Sequence, residues 1–306
     1  STLKAIELNP DFYGSYLNLG KILRDQGKLK EAEVYARKAI KLRPDLIDTN
    51  SYLSDILICL GKLDELLLLS KSMLKLQSIT KSDTLLVLLR ITIANLIKGN
   101  FSDMLISINK SKELINSNKG IEVIPLLFFL YSLYPLLEKK NGYSILENIP
   151  HIGDSHCLSF AHQTLSIKSD SKKIQPVYII GAKAWHFANK DHNIWKDSLI
   201  HQIKNHKYSN EIFVSFGEID CRKDEGILPF AIKKNINISE VCKKTIKGYL
   251  DYMEAILSCN YLKRYYFGIP APSINEEVMD SLDTKRIQMI RNYNFFFKKE
   301  VLSRGA

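Results

Sequence analysis

At 306 residues, with 45% hydrophobic and 25% charged residues, the chain has a globular composition and the length for two domains, each with its own core. No run of about 20 apolar residues exists, and the longest candidate, 121–137, is broken by Pro125 and Pro135, so no membrane-spanning helix is expected. The net charge of +10 is spread evenly, with 20 Lys/Arg against 15 Asp/Glu up to residue 145 and 23 against 18 beyond it; without a basic stripe, no nucleic-acid partner is expected.

Residues 13–46 place Tyr16, Leu19, Gly20, Gly27, Ala32, Ala39 and Pro44 at the offsets of a two-helix unit of about 34 residues, and so resemble a tetratricopeptide repeat. One period back, Ala5 and Pro10 occupy the positions of Ala39 and Pro44. One period forward, Gly61 takes the place of Gly27. Three units are therefore read, the first truncated, with further sequence expected upstream of Ser1. The small residues let paired helices approach, Leu19, Leu23 and Tyr35 fill the space between them, and Gly27 is expected to end its helix at positive φ. The resemblance implies a peptide or protein partner on a concave face, where Leu17, Lys21, Arg24 and, in the next unit, Asp55 are expected.

Beyond Gly61 the pattern degenerates, but helical periodicity continues through 85–97 and 104–115, with a turn at Gly99-Asn100. Residues 121–139 read as a largely buried helix that closes the array. A boundary is expected near Asn141-Gly142, giving an all-α solenoid over 1–141 and a second domain over 142–306.

In the second domain the periodicity changes. A run ending at Ile152 and the segments 177–180, 212–216 and 264–268 read as strands, separated by helices expected at 155–165, 194–206, 239–259 and 280–302. Such alternation predicts a parallel sheet covered on both faces, with ligands outside the carboxyl ends of the strands. Gly153-Asp154-Ser155-His156 follows the first strand, which puts the Ser155 hydroxyl beside the free N–H groups of a helix start. Asp154 or Ser155 is equally suited simply to cap that helix.

Gly153-Asp154-Ser155 ends the first strand, Gly181 the second, and Gly217-Glu218-Ile219-Asp220 the third. In that order the blocks resemble the SGNH or GDSL hydrolase family over residues 148–302. The resemblance implies a flavodoxin-like three-layer α/β/α sandwich that hydrolyses or transfers acyl esters, on a carbohydrate in the favoured reading. It makes Ser155 the nucleophile, with Asp154 in support, and the N–H groups of Ser155 and Gly181 the oxyanion donors. Gly217 belongs to the third block.

Two departures stand out. Where the family has an asparagine donor, this chain has Ile219, and Arg222 on the same loop is the replacement candidate. Glu218, Asp220 and Arg222 form either a substrate-orienting cluster or a salt-bridged loop. The family's Asp-x-x-His block is missing, since no histidine follows His206; that block is expected beyond Ala306. His156 is badly placed to serve its neighbour as a base and is expected on the substrate side, whereas His186 reads as a substrate-contacting or core residue near the end of the second strand. Trp185 and Trp195 read as core or as a sugar platform. The five cysteines are expected to be reduced and mostly buried. No histidine shows zinc-ligand spacing, so neither metal nor cofactor is expected. The location expected is cytoplasmic. The competing reading is a non-catalytic scaffold that binds a glycan or a protein.

Overall fold

The computed structural model describes residues 2–117, 124–138, 146–167, 170–204, 209–272 and 279–305. The expected boundary at Asn141-Gly142 lies outside them.

The first part is a run of helices: α1 (Thr2–Leu8), α2 (Tyr13–Asp25), α3 (Leu29–Leu42), α4 (Ile47–Cys59), α5 (Leu63–Met73), α6 (Lys81–Lys98), α7 (Phe101–Asn116) and α8 (Pro125–Glu138). Successive helices pack as neighbours because small side chains line their contacts. Ala32, Ala36 and Ala39 are fully buried, and a Cβ on Gly20 would come within 3.0 Å of the Tyr52 ring. Gly27, Gly61 and Gly99 take φ of 72°, 70° and 75°, the left-handed geometry that stops a helix and turns the chain. Thr80 and Asp83 close a capping box at the start of α6.

The second part is built on five strands: β1 (Glu147–Gly153), β2 (Thr164–Ile167), β3 (Asp170–Tyr178), β4 (Glu211–Ser215) and β5 (Lys263–Tyr266), in the order β2-β3-β1-β4-β5. The pairs β1–β3, β1–β4 and β4–β5 are parallel, and β2 runs antiparallel to β3. The sheet is thus mixed rather than wholly parallel. The helix expected over 155–165 is a 3-10 helix, Ser155–Phe160, followed by β2. Its chain turns back at His162, where φ is positive at 57°, and the His162 N–H then bonds the Ile174 carbonyl. Sheet pairing has outcompeted a helix too short to sustain itself.

The helices α9 (Ala184–Ala188), α10 (Ile194–Lys204), α11 (Ile227–Lys234), α12 (Ile238–Leu257) and α13 (Ser281–Ser303) complete this part; α9 and α11 are additions to the elements read from the sequence. They bury one face of the sheet, where Ile152, Val177, Ile212 and Val214 meet Leu199, Tyr249, Met253, Tyr293 and Phe297. On the other face Tyr178 packs with Leu158 and Ala161 against Leu96, Met104, Leu130 and Leu133 of the helical array. Part of that second layer is therefore supplied by the array and not by helices of the sheet domain itself.

The two parts share backbone partners as well. Ser198 Oγ donates to the Cys59 carbonyl at 2.8 Å, and Asp197 Oδ2 accepts the Leu29 N–H at 2.9 Å. Gln175 Nε2 donates to the Ile97 carbonyl at 2.8 Å, and His162 Nε2 lies 2.6 Å from the Leu96 carbonyl. The Cys59 and Ile97 carbonyls, at the ends of α4 and α6, are thus satisfied from the sheet domain.

Candidate active site at the carboxyl ends of the strands

The parallel register places Gly153 beside Tyr178 on one flank and Ser215 on the other. Gly181 follows Tyr178 by three residues and Gly217 follows Ser215 by two, so all three blocks leave the sheet at the same end. Position 153 must be glycine, since a Cβ there would stand 2.3 Å from Ser215 Oγ and 2.7 Å from the Ser215 carbonyl oxygen.

Asp154 caps the 3-10 helix. Its Oδ1 accepts the His156 N–H at 2.9 Å and lies 3.0 Å from His156 Nδ1. The Asp154 side chain is only 1% exposed, and its Oδ2 has no hydrogen-bond partner among the described residues. The hydrogen bond that His156 gives to Asp154 raises the His156 pKa, partly offset by burial. Ser155 is the first residue of the 3-10 helix and half-buried.

A cavity of about 270 Å³ lies here. Asp154, His156, Ser159, Ser215 and Glu218 make its polar side, and Phe160, Phe216, Phe267, Ile269 and Pro270 its apolar side. Ser155 is flanked by two lining residues but is not itself one of those lining the cavity.

The loop after β4 is a salt-bridged one. Arg222 pairs with Glu218 at 2.9 Å and with Glu225 at 3.0 Å, Lys183 holds Glu225 at 2.8 Å, and Arg286 approaches Glu218 at 3.6 Å. Arg222 is consequently committed to carboxylates rather than offered to an oxyanion. Asp220 is fully buried, and its two oxygens accept the N–H groups of Ala184 at 2.6 Å and Trp185 at 3.0 Å. Burial pushes its carboxyl up to about 7 against the opposing pull of those donors. Both Asp220 oxygens thus hold the start of α9. Ile219 is buried, 7% exposed.

His186 stands apart from His156. With Lys183, Trp185, Asp220 and Phe230 it lines a second cavity of about 210 Å³. Its Nδ1 accepts the Lys183 N–H at 3.0 Å, its ring stacks on Trp195 at 3.3 Å, and burial lowers its pKa to about 4. Trp195 is half-buried, and its Nε1–H donates to the Ile180 carbonyl at 3.1 Å. Gly181 is exposed with φ of 64°, whereas Gly217 is buried with φ of 121°.

Sequence reasoning missed a pair. His151 on β1 is fully buried, and its Nε2 lies 2.8 Å from Ser215 Oγ. The ring stacks on Phe267 at 5.1 Å and also meets Phe160 and Phe213. Burial lowers its pKa to about 4. The available signal was a single histidine inside an apolar strand, which ordinary core packing explains equally well.

Of the four residues expected on a partner-binding face, Leu17 is 8% exposed and belongs to the array's core. Lys21 is exposed. Arg24 lies 5.5 Å over the Tyr52 ring and pairs with Asp25, and Asp55 pairs with Arg90 at 2.8 Å. Cys59, Cys157, Cys221 and Cys242 are buried free thiols, and Cys259 is an exposed one. Among the described residues no helix is long and apolar enough to cross a membrane, and no cluster of three or more His, Cys, Asp or Glu is arranged to hold a metal.

Residues 14–46 match the tetratricopeptide repeat family. No curated protein matches the chain.

Proposed function

We propose that the sheet domain is a serine-dependent esterase or acyltransferase carried on a protein-interaction array. The tetratricopeptide match supports the interaction module. The observation that carries the enzymatic reading is the exit of the Gly153, Gly181 and Gly217 blocks from three adjacent strands, next to a cavity with polar and apolar sides. Taken by themselves, the parallel strands run second, first, third, fourth across the sheet, an order shared with flavodoxin-like sandwiches.

In this reading Ser155 Oγ attacks the ester carbonyl carbon. Its proton passes to an imidazole base, on the resemblance that of an Asp-x-x-His block, and from there to the departing alcohol, which on the resemblance is a carbohydrate hydroxyl. Water or an acceptor hydroxyl then releases the acyl group from Ser155. The N–H groups of Ser155 and Gly181 donate to the oxyanion. His156, with Nδ1 held by Asp154, has Nε2 left for the substrate. Turnover of a chromogenic short-chain ester by the full-length protein tests the reading. Ser155→Ala removes turnover and leaves the thermal unfolding midpoint unchanged; activity that survives the change excludes this nucleophile.

A second reading, a non-catalytic scaffold for a glycan or protein, draws on Ile219, which is buried and has no side-chain donor. Under it, wild type and Ser155→Ala capture the same partner and neither turns over any ester.

A further inference from the structure

We propose that the Ser215 hydroxyl, anchored by His151, donates the hydrogen bond to the substrate's carbonyl oxygen that Ile219 is unable to supply. This inference rests on the esterase or acyltransferase reading above.

Ser215 lines the same cavity as Asp154 and His156, and it stands at the end of the strand paired with Gly153. Among the described residues its side chain makes one hydrogen bond, to His151 Nε2 at 2.8 Å. Glycine at 153 leaves the space that this hydroxyl occupies, because the Cβ of any other residue would stand 2.3 Å from it. Arg222, the other replacement candidate, is tied to Glu218 and Glu225.

The direction of the His151 bond follows from its surroundings. His151 is buried among Phe160, Phe213 and Phe267, and its Nδ1 has no partner among the described residues. A neutral imidazole carries one N–H. With the proton on Nδ1 a buried donor would be orphaned, which folded proteins tolerate less well than an orphaned acceptor. The proton therefore belongs on Nε2, where it donates to Ser215 Oγ. The serine hydrogen is then free to point into the cavity, and the preceding bond polarises it.

The same facts argue against Ser215 as a second nucleophile. Its histidine has no carboxylate at Nδ1 to orient it and stabilise an imidazolium, and burial opposes protonation. Ser215 thus acts as a donor and His151 as its positioning residue.

The test uses a fluorophosphonate probe that phosphonylates an active serine, together with p-nitrophenyl acetate, on full-length wild type, Ser155→Ala and Ser215→Ala. We expect Ser215→Ala to slow labelling of Ser155 and to lower kcat by about 100-fold, with KM changed less than about threefold. Labelling of Ser215→Ala at the wild-type rate overturns this inference and leaves the esterase reading intact. Failure of wild type to label at Ser155 overturns both. If Ser215→Ala does not fold, His151→Phe takes its place, because a ring of similar shape suits the aromatic cluster while losing the anchor. A large loss of kcat there at constant KM, restored in part by His151→Gln, supports the inference; wild-type kcat in His151→Phe overturns it.

Discussion

The carboxylate of Asp220, on the loop after β4, lies 2.6 Å from the backbone nitrogen of Ala184, at the start of the helix after β3. One strand's exit loop thereby fixes how its neighbour's exit loop begins, 36 residues away in sequence. Asp220→Ala leaves the N–H groups of Ala184 and Trp185 buried without an acceptor, at a cost of about 1–3 kcal/mol for each group that stays unsatisfied. Urea unfolding should show a marked destabilisation, and tryptophan fluorescence a change at Trp185. A variant as stable as wild type would show that water replaces the carboxylate.

Gly153→Ala drives a methyl group into Ser215 Oγ and the Ser215 carbonyl oxygen. Both obstacles belong to a central strand that cannot withdraw cheaply, so a loss of about 1–3 kcal/mol is expected, the usual range for overpacking. The His151–Ser215 hydrogen bond should be lost with it. Chemical denaturation measures the first effect, and the imidazole nitrogen resonances of His151 report the second.

Acid should weaken the fold through two histidines. Burial lowers the pKa of His151 and His186 to about 4 in the folded protein, against an ordinary value of 6.5. The unfolded chain therefore takes up protons first, and the stability these residues contribute is complete above about pH 6.5 and declines as pH falls toward 4. The unfolding midpoint of His151→Phe should fall less steeply than that of wild type over this interval. Equal slopes would mean that His151 is not kept neutral by burial.

His156 works in the opposite sense. Its hydrogen bond to Asp154 raises its pKa, so its contribution is complete below the ordinary histidine value and disappears as pH rises through the folded one. His156→Asn should lose stability relative to wild type at pH 6 and approach it at pH 9. A constant difference between the two proteins across that range would contradict a His156 that titrates in the hold of Asp154.

The contact of α10 with α3 and α4 is expected to make the array and the sheet domain unfold together. Ser198→Ala opens the Cys59 carbonyl and Asp197→Ala the Leu29 N–H, each worth about 1 kcal/mol as a hydrogen bond. In the double variant, urea unfolding followed by circular dichroism and by tryptophan fluorescence should separate into two transitions, since both tryptophans lie in the sheet domain. Coincident curves would show that the shared apolar cluster alone couples the parts.

The sequence by itself determined what depends on neighbouring residues. Ala32, Ala39 and Gly27 mark a repeat because helix spacing and a left-handed stop are local properties. Gly153, Gly181 and Gly217 mark strand exits in the same way, and α12 and α13 lie close to their expected limits. The strand β3 was half hidden because Lys172, Lys173 and Gln175 give its first part no apolar run. The 3-10 helix and hairpin after Ser155 were hidden for a different reason: pairing with β3, not the local pattern, decides that segment. Tertiary structure alone decided the roles of the polar residues. Asp220 and Arg222 look alike as loop charges, yet one is buried against two N–H groups and the other sits in surface ion pairs. His151 and Ser215 are 64 residues apart and meet only because β1 and β4 are adjacent. A hydrogen bond of that reach leaves no periodicity in the chain, so only the folded sheet reveals it.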